Sequence, residues 1–200
     1  MPLQLGFMKI LYLHGYASQF DPDSAKIKAL SKIGEVDGPD LDYTQGQKNV
    51  FGKVADFAGY GDYDLIVGTS MGGWLASHAC IALGTPFVAL NPAVHPSKTL
   101  KKYVGQTVNY IGRAFRIDEE TVASYSHFNT EGGCGHILCE EGDEVLDARY
   151  TIQYLEKSYG TTLVPGGSHR FESLADHLGL LKYTTHICSV IWGSEDSDDG

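Results

Sequence analysis

The sequence predicts an α/β domain with a mostly parallel sheet and helices on both faces, and three observations predict it. Short apolar runs that favour β-strands alternate with longer segments that favour helices, which is the pattern of parallel strands joined by helical crossovers. One such run, at residues 65–67, leads through Gly-Thr-Ser-Met-Gly directly into a helix-favouring segment. No internal repeat or linker interrupts the chain, so we expect residues 1–200 to form a single domain.

The composition is that of an ordinary globular protein and argues against two classes of partner. The formal net charge is −10, whereas a nucleic-acid-binding surface needs an excess of lysine and arginine. No apolar run is long enough to span a bilayer, and no charged segment leads into an apolar stretch near residue 1. We therefore expect neither nucleic-acid nor membrane partners, and an acidic, frayed tail at 194–200. The sequence leaves the oligomeric state open.

We expect the four cysteines to be reduced thiols. Without a secretory signal we expect a cytoplasmic location, where disulfides are rare. Cys80 and Cys188 have the setting of small core residues on helices. Cys134, His136 and Cys139 are close in sequence, but in a strand His136 and Cys139 would point to opposite faces, which opposes a shared metal ion. We expect neither a metal nor a cofactor.

Two strands and two helices precede the glycine–serine segment. A β-rich composition marks the strands, and Gly and Pro within the second make it the weaker candidate. The first helix follows an Asp-Pro-Asp-Ser start, and the second has apolar side chains at helical spacing. The predicted ranges are 9–13 and 34–42 for the strands and 25–32 and 49–60 for the helices, with 1–7 as an extension.

After the glycine–serine segment the alternation continues, with one interruption. Strands are predicted at 86–90, 136–139 and 161–164, and helices at 71–83, 147–158 and 172–192. The interruption spans about 95–130 and contains two helical stretches, 98–109 and 117–125, but no convincing strand. An insertion after a central strand is either a lid over the site or a cover for the sheet, and the sequence favours neither.

The Gly-Thr-Ser-Met-Gly segment predicts a nucleophilic serine. A Gly-x-Ser-x-Gly pattern between a strand and a helix presents the serine on a sharp turn, where backbone strain holds the hydroxyl of Ser70 clear of the main chain. Gly68 and Gly72 would let strand and helix approach closely. The bare pattern also occurs in ordinary turns, so the strand before it and the helix after it carry the argument.

A serine nucleophile needs a base to take its proton, and histidine is the expected base. In the chain order Ser, then acid, then His, only His136, His169, His177 and His186 qualify. His169 follows the last predicted strand in a Pro-Gly-Gly-Ser loop that can present an imidazole freely, so we choose His169.

The acid that orients this histidine is expected just after the strand at 136–139. Asp143 is preceded by a glycine at the apex of the loop, where its side chain can turn toward a neighbouring loop, and it is the preferred acid. Asp147 fits a helix cap, and we interpret Glu140 and Glu141 as solvated charges or strand-end residues. The candidates in full are Glu140, Glu141, Asp143, Glu144 and Asp147.

The oxyanion that forms during acyl transfer needs two N–H donors. One is the amide of the residue after the nucleophile, Met71. The other is expected from the loop after the first strand, where the amide of Tyr16 is the best candidate and His14 is expected to brace the loop. We further expect Tyr16, Trp74 and His14 to contact the substrate.

Five segments together resemble a known family. They are Leu-Tyr-Leu-His-Gly-Tyr-Ala-Ser, Gly-Thr-Ser-Met-Gly-Gly-Trp-Leu-Ala, Asn-Pro-Ala-Val-x-Pro, Glu-Gly-Asp-Glu-Val-Leu-Asp and Gly-Gly-Ser-His-Arg-Phe. In this order they resemble the small YqiA-type esterases, which are single-domain members of the α/β-hydrolase superfamily. The family usually has phenylalanine at the position of Tyr16, and the 95–130 insertion matches only at its Asn-Pro-Ala-Val start.

The resemblance implies an α/β-hydrolase fold and a serine esterase with Ser70 as nucleophile, Asp143 as acid and His169 as base. It also implies Tyr16 and Met71 as oxyanion donors and a small, short-chain acyl ester as substrate. A thioesterase or amidase would use the same machinery. A further alternative, from another class, is a non-catalytic scaffold that binds a partner or small ligand.

Overall fold

The computed structural model describes residues 6–59, 61–105 and 116–195. Residues 1–5, the middle of the 95–130 insertion and all but the first two residues of the predicted acidic tail lie outside these ranges.

Within the described ranges, six strands form one parallel sheet, as the alternation predicts. The order across the sheet is β2-β1-β3-β4-β5-β6, and each neighbouring pair is parallel. The weak strand candidate at 34–42 is real but short, because it ends at Asp37. The strands are β1 Met8–Leu13, β2 Gly34–Asp37, β3 Leu65–Thr69, β4 Phe87–Leu90, β5 Gly135–Glu140 and β6 Gly160–Val164.

Seven α-helices are described, and they cover both faces of the sheet. One face packs its core side chains against α2, α3 and α6, whereas the other packs against α1 and the first turns of α7. Alternate residues of β1 point to opposite faces of the sheet. Leu11 and Leu13 belong to the core under α2, α3 and α6, and Ile10 and Tyr12 belong to the core under α1 and α7. The helices are α1 Ala25–Leu30, α2 Gly46–Ala58, α3 Met71–Leu83, α4 Pro96–Thr99, α5 Glu119–Ala123, α6 Ala148–Leu155 and α7 Leu178–Glu195.

Two predicted helices differ from the observed ones. The stretch at 98–109 is replaced in its described part by α4 and a 3-10 turn at Leu100–Tyr103. The last helix begins at Leu178 rather than near 172. The segment before it instead binds the carboxylate of Glu140 through the amides of Glu172 and Ser173 and forms a separate 3-10 turn at Leu174–Asp176.

The sheet order creates a crevice beside β1. The chain leaves β1 toward β2 on one side and later returns to β3 on the other, so the segments after β1 and β3 diverge at neighbouring strand ends. Parallel α/β sheets bind ligands at such a point, beyond the carboxyl ends of the strands. Residues 14–18 and Ser70 are at this position.

The prediction of four reduced cysteines is wrong for one pair. Cys134, directly before β5, forms a disulfide with Cys188 of α7, with Cα atoms 5.6 Å apart. The two residues are 54 positions apart, and only the packing of α7 against β5 brings them together. Cys80 and Cys139 are free and buried. The cytoplasmic location was argued from the lack of a secretory signal and stays a prediction.

None of the helices in the described ranges combines the length and the apolar character needed to cross a membrane.

Candidate active site

Ser70 lies on a strained turn between β3 and α3. Its backbone angles are φ 57° and ψ −117°, a region that residues with a Cβ rarely adopt. The neighbouring main chains nearly touch at this turn, and they can do so because Gly68 and Gly72 lack a Cβ. A Cβ on Gly68 would lie 2.0 Å from the carbonyl oxygen of Gly72, and a Cβ on Gly72 would lie 1.9 Å from that of Leu13. The structure therefore has the tight strand–turn–helix geometry that the glycines predict.

The structure brings Ser70, His169 and Asp143 into one hydrogen-bonded chain. Nε2 of His169 lies 3.1 Å from Oγ of Ser70, and its Nδ1 lies 2.9 Å from both carboxylate oxygens of Asp143. The side chain of Asp143 is only 1% exposed and that of His169 20% exposed. The carboxylate thus acts on the imidazole with little screening by water.

Asp143 is itself held in place by the main chain. Its Oδ1 accepts hydrogen bonds from the amides of Val145 and Leu146, both at 2.8 Å. Because an ionised carboxylate only accepts, Nδ1 of His169 must carry the proton between them. Nε2 then presents its lone pair to Ser70. This is the tautomer that a base acting on the serine hydroxyl requires.

The cleft in front of Ser70 has a volume of about 710 Å³, within the range of small-molecule sites. Tyr16 and Met71 both line it, as does the described start of the 95–130 insertion through Leu100 and Tyr103. The rings of Tyr16 and Tyr103 lie 5.1 Å apart. The insertion therefore forms a wall of the cleft, whereas its movement as a lid stays a prediction.

The structure does not place Trp74 in the cleft, contrary to our expectation that it contacts substrate. Its side chain is 0% exposed and stacks on Phe51 with ring centroids 5.5 Å apart. Its indole N–H donates to the carbonyl oxygen of Ser126 at 3.1 Å. Trp74 therefore anchors the end of the 95–130 insertion to α3, a packing role.

His14 is also buried. It braces the loop after β1, residues 14–18, and does not line the cleft. It is 1% exposed, and its Nε2 accepts the backbone N–H of Leu41 at 2.8 Å. The ring proton is therefore on Nδ1, which donates to the carbonyl oxygen of Gly15 at 2.8 Å. Burial lowers the pKa of His14, against smaller opposing effects of the Gly15 carbonyl and Asp40, so the ring is neutral.

Two further residues support the site, and sequence reasoning missed both. Glu140, interpreted above as a solvated or strand-end charge, is 0% exposed and binds the loop that carries His169. Asn91, at the end of β4, binds the same loop with its side-chain amide. The available signal was their position, since each directly follows or ends a central strand at the functional edge of the sheet.

Within the described ranges, no group of three or more His, Cys, Asp or Glu side chains is arranged to hold a metal ion.

Comparison with known proteins places the chain in a family. The family described as "Uncharacterised protein family (UPF0227)" matches residues 9–184. A UPF0227 protein of Vibrio parahaemolyticus is 26% identical over 179 residues, which cover 86% of this chain and 97% of that relative.

Two solved structures are similar to this chain over most of its length. Est1E from Butyrivibrio proteoclasticus is similar with a TM-score of 0.66 and 16% identity, covering 92% of this chain and 89% of its own. The monoacylglycerol lipase of Paleococcus ferrophilus has a TM-score of 0.63 and 12% identity, covering 89% of this chain and 94% of its own. At these identities the likeness establishes the fold. The chain therefore belongs to the YqiA-like family UPF0227 and has the α/β-hydrolase fold.

Proposed function

We propose that this protein is a serine hydrolase that cleaves carboxylic esters, with short acyl groups preferred. The observation that carries the proposal is the hydrogen-bonded chain from Asp143 through His169 to Ser70 beside the cleft. A serine hydroxyl is a weak nucleophile unless a correctly oriented base removes its proton. The fold adds support, because α/β-hydrolases present such a serine at this turn.

In the first half of the reaction, Oγ of Ser70 attacks the ester carbonyl carbon while Nε2 of His169 accepts its proton. The carbonyl oxygen becomes an oxyanion, which the amides of Met71 and Tyr16 stabilise. Collapse of the tetrahedral intermediate breaks the bond to the alcohol oxygen. His169 gives that oxygen its proton, and the acyl group remains on Ser70.

In the second half, water attacks the acyl-enzyme and His169 takes a proton from it. The second intermediate collapses, the bond between Oγ and the acyl carbon breaks, and His169 returns the proton to Ser70. Asp143 stabilises the imidazolium in both halves without being protonated. The carboxylic acid leaves and the enzyme is restored.

The cleft supports a compact substrate. Its volume of about 710 Å³ fits a small molecule, and Met71, Leu100 and Tyr103 give its lining apolar and aromatic character. A thioester or an amide meets the same machinery, so a thioesterase or amidase is the second candidate. A panel of matched esters, thioesters and anilides with acyl groups from acetyl to palmitoyl separates these candidates.

A fluorophosphonate probe tests the reaction class. We expect covalent labelling of Ser70 in the folded protein, and no labelling of Ser70→Ala or His169→Gln. Ser189→Ala is the matched control, because this serine lies on exposed surface of α7, and it should label like the wild type. Absence of Ser70-dependent labelling would favour the non-catalytic binding scaffold.

A further inference from the structure

Glu140 is a buried charge at the functional edge of the sheet. It is the last residue of β5, and its accessible surface is 0%. A carboxylate removed from water is strongly unfavourable unless hydrogen bonds replace its hydration. The segment that supplies the hydrogen-bond donors is therefore the segment that the carboxylate of Glu140 stabilises.

All the described donors to this carboxylate come from one loop. The histidine loop, residues 165–173, runs from the end of β6 past His169. Oε2 of Glu140 accepts the amide of Ser168 at 2.8 Å, and both oxygens lie 2.9 Å from the amide nitrogen of Glu172. Oε1 also accepts the amide and the hydroxyl of Ser173, at 2.8 and 2.7 Å. Burial alone would raise the pKa of Glu140, but these hydrogen bonds together outweigh it and lower the pKa.

The histidine loop is shaped to receive the carboxylate. Gly167 has φ 72°, and a Cβ at this position would lie 2.0 Å from Oε2 of Glu140. Only glycine permits both this backbone angle and this approach. The loop therefore closes around Glu140 directly before the residue pair Ser168–His169.

Asn91 binds the same residue pair from the neighbouring strand. Its Oδ1 accepts the amide of Glu140 at 2.8 Å, and its Nδ2 donates to the carbonyl oxygens of Ser168 and His169 at 2.9 and 3.2 Å. The amide of His169 in turn donates to Glu144 at 2.9 Å. Side chains from the ends of β4 and β5 and from the loop after β5 thus bind the main chain on both sides of His169.

We propose that Glu140 is a positioning residue for the hydrolysis proposed above: its carboxylate fixes the histidine loop so that Nε2 of His169 faces Oγ of Ser70. Asp143 orients the ring through Nδ1, whereas Glu140 sets the location of the backbone from which that ring extends. Glu140 is not among the residues that line the cleft. The expected effect of Glu140 on the rate of hydrolysis rests on the proposed function. Its expected effect on the position of the His169 ring does not.

The test compares Glu140→Gln with wild type and with Glu141→Gln. Glutamine keeps the size but turns one acceptor oxygen into an NH₂ group that faces N–H donors, so part of the loop loses its partner. We expect kcat to fall about 10²-fold, as for an Ångström-scale misplacement of a catalytic group, with KM little changed. Glu140→Asp, which keeps the charge on a shorter side chain, should recover part of the loss. Glu141 is exposed and pairs with Arg149, so Glu141→Gln should match the wild type.

A second measurement does not depend on activity. In protein labelled with ¹⁵N-histidine, the ring signals of His169 should shift or broaden in Glu140→Gln and stay unchanged in Glu141→Gln. Unchanged His169 signals with wild-type kcat in a folded Glu140→Gln protein would overturn the proposal. If that variant does not fold, Ser173→Ala, which removes one donor to the carboxylate, must shift the same signals or the proposal fails. A wild type that neither cleaves esters nor labels at Ser70 would instead overturn the proposed function.

Discussion

Nε2 of His169 lies 3.1 Å from Oγ of Ser70, although the two residues are 99 positions apart in the chain. Ser70 is held by the strained turn after β3, and His169 by the loop after β6. These strands are not neighbours in the sheet, since β4 and β5 lie between them. The contact therefore depends on two rigid supports, the glycine-lined turn and the histidine loop, and each can be tested separately.

Asp143→Asn should lower kcat about 10⁴-fold, by analogy with the same change in other triads. The amide NH₂ would donate to Nδ1 of His169 and leave the ring proton on Nε2, where it blocks proton transfer from Ser70. Steady-state ester hydrolysis measures the change. Asp147→Asn is the control, because Asp147 caps α6 through the amide of Tyr150 and asparagine caps equally well. A near-wild-type rate for Asp143→Asn would point to Glu144, whose carboxylate accepts the amide of His169, as the acid.

Ser70→Gly should be more stable than Ser70→Ala. Both variants lack the nucleophile, but alanine keeps the Cβ that makes φ 57° unfavourable, whereas glycine adopts this angle without strain. We expect the relief of strain in the folded protein to outweigh the extra conformational entropy that glycine gives the unfolded chain. The free energy of unfolding of Ser70→Gly should therefore exceed that of Ser70→Ala by about 1 kcal/mol. Urea denaturation measures it, and a less stable glycine variant would show that the turn is unstrained.

Gly72→Ala should destabilise the fold by about 3 kcal/mol or more. Its Cβ would lie 1.9 Å from the carbonyl oxygen of Leu13, so the main chains of α3 and β1 would have to separate. Gly52→Ala is the matched control in α2, where a Cβ meets nothing within 4 Å. That change should stabilise by roughly 0.5–1 kcal/mol through helix propensity. Equal effects of the two substitutions in urea denaturation would contradict the close approach at Gly72.

Removal of the Cys134–Cys188 disulfide should lower the free energy of unfolding by about 2–4 kcal/mol, because the cross-link restricts the unfolded chain over 54 positions. The double variant Cys134→Ser/Cys188→Ser and wild-type protein in reductant should unfold at the same lower temperature. Reductant should not affect the double variant. A wild-type melting temperature that is unchanged by reductant would show that the two thiols are not bonded in solution.

The free energy of unfolding should fall as the pH falls below about 6.5, and His14 should contribute to this fall. Burial lowers its pKa in the folded protein below the ordinary 6.5, so on acidification the unfolded chain binds a proton before the folded one does. The contribution of His14 to the free energy of unfolding is therefore fully present above pH 6.5. It is lost progressively as the pH falls from 6.5 to the pKa of His14 in the folded protein, by at most about 1.4 kcal/mol per pH unit for one proton. His14→Gln should have a shallower pH dependence in urea titrations. The same slope in both proteins would mean that other groups, such as His78, His95 and His136 with their lowered pKa values, account for all of it.

Local patterns were sufficient to predict the α/β fold class and the described strands and to select Ser70 as the candidate nucleophile, because each depends on residues next to one another in the chain. Strand–helix alternation follows from hydrophobic periodicity, and the turn at Ser70 follows from glycines two positions away on either side. The chain order Ser, acid, His narrowed the partners to a few candidates. Geometry then placed Asp143 and His169 together with Ser70.

Other features depend on contacts between distant segments and have no local pattern. Glu140 looks like a surface charge in sequence, yet its hydrogen-bond donors lie 28 to 33 positions further on. Trp74 follows the nucleophile by four positions in the sequence and was expected to contact the substrate, but its side chain is buried against Phe51 and hydrogen-bonded to Ser126. Cys188 meets Cys134 only because α7 packs beside β5. The burial and partners of a side chain are set by which remote segments pack around it, so only the tertiary structure could assign these roles.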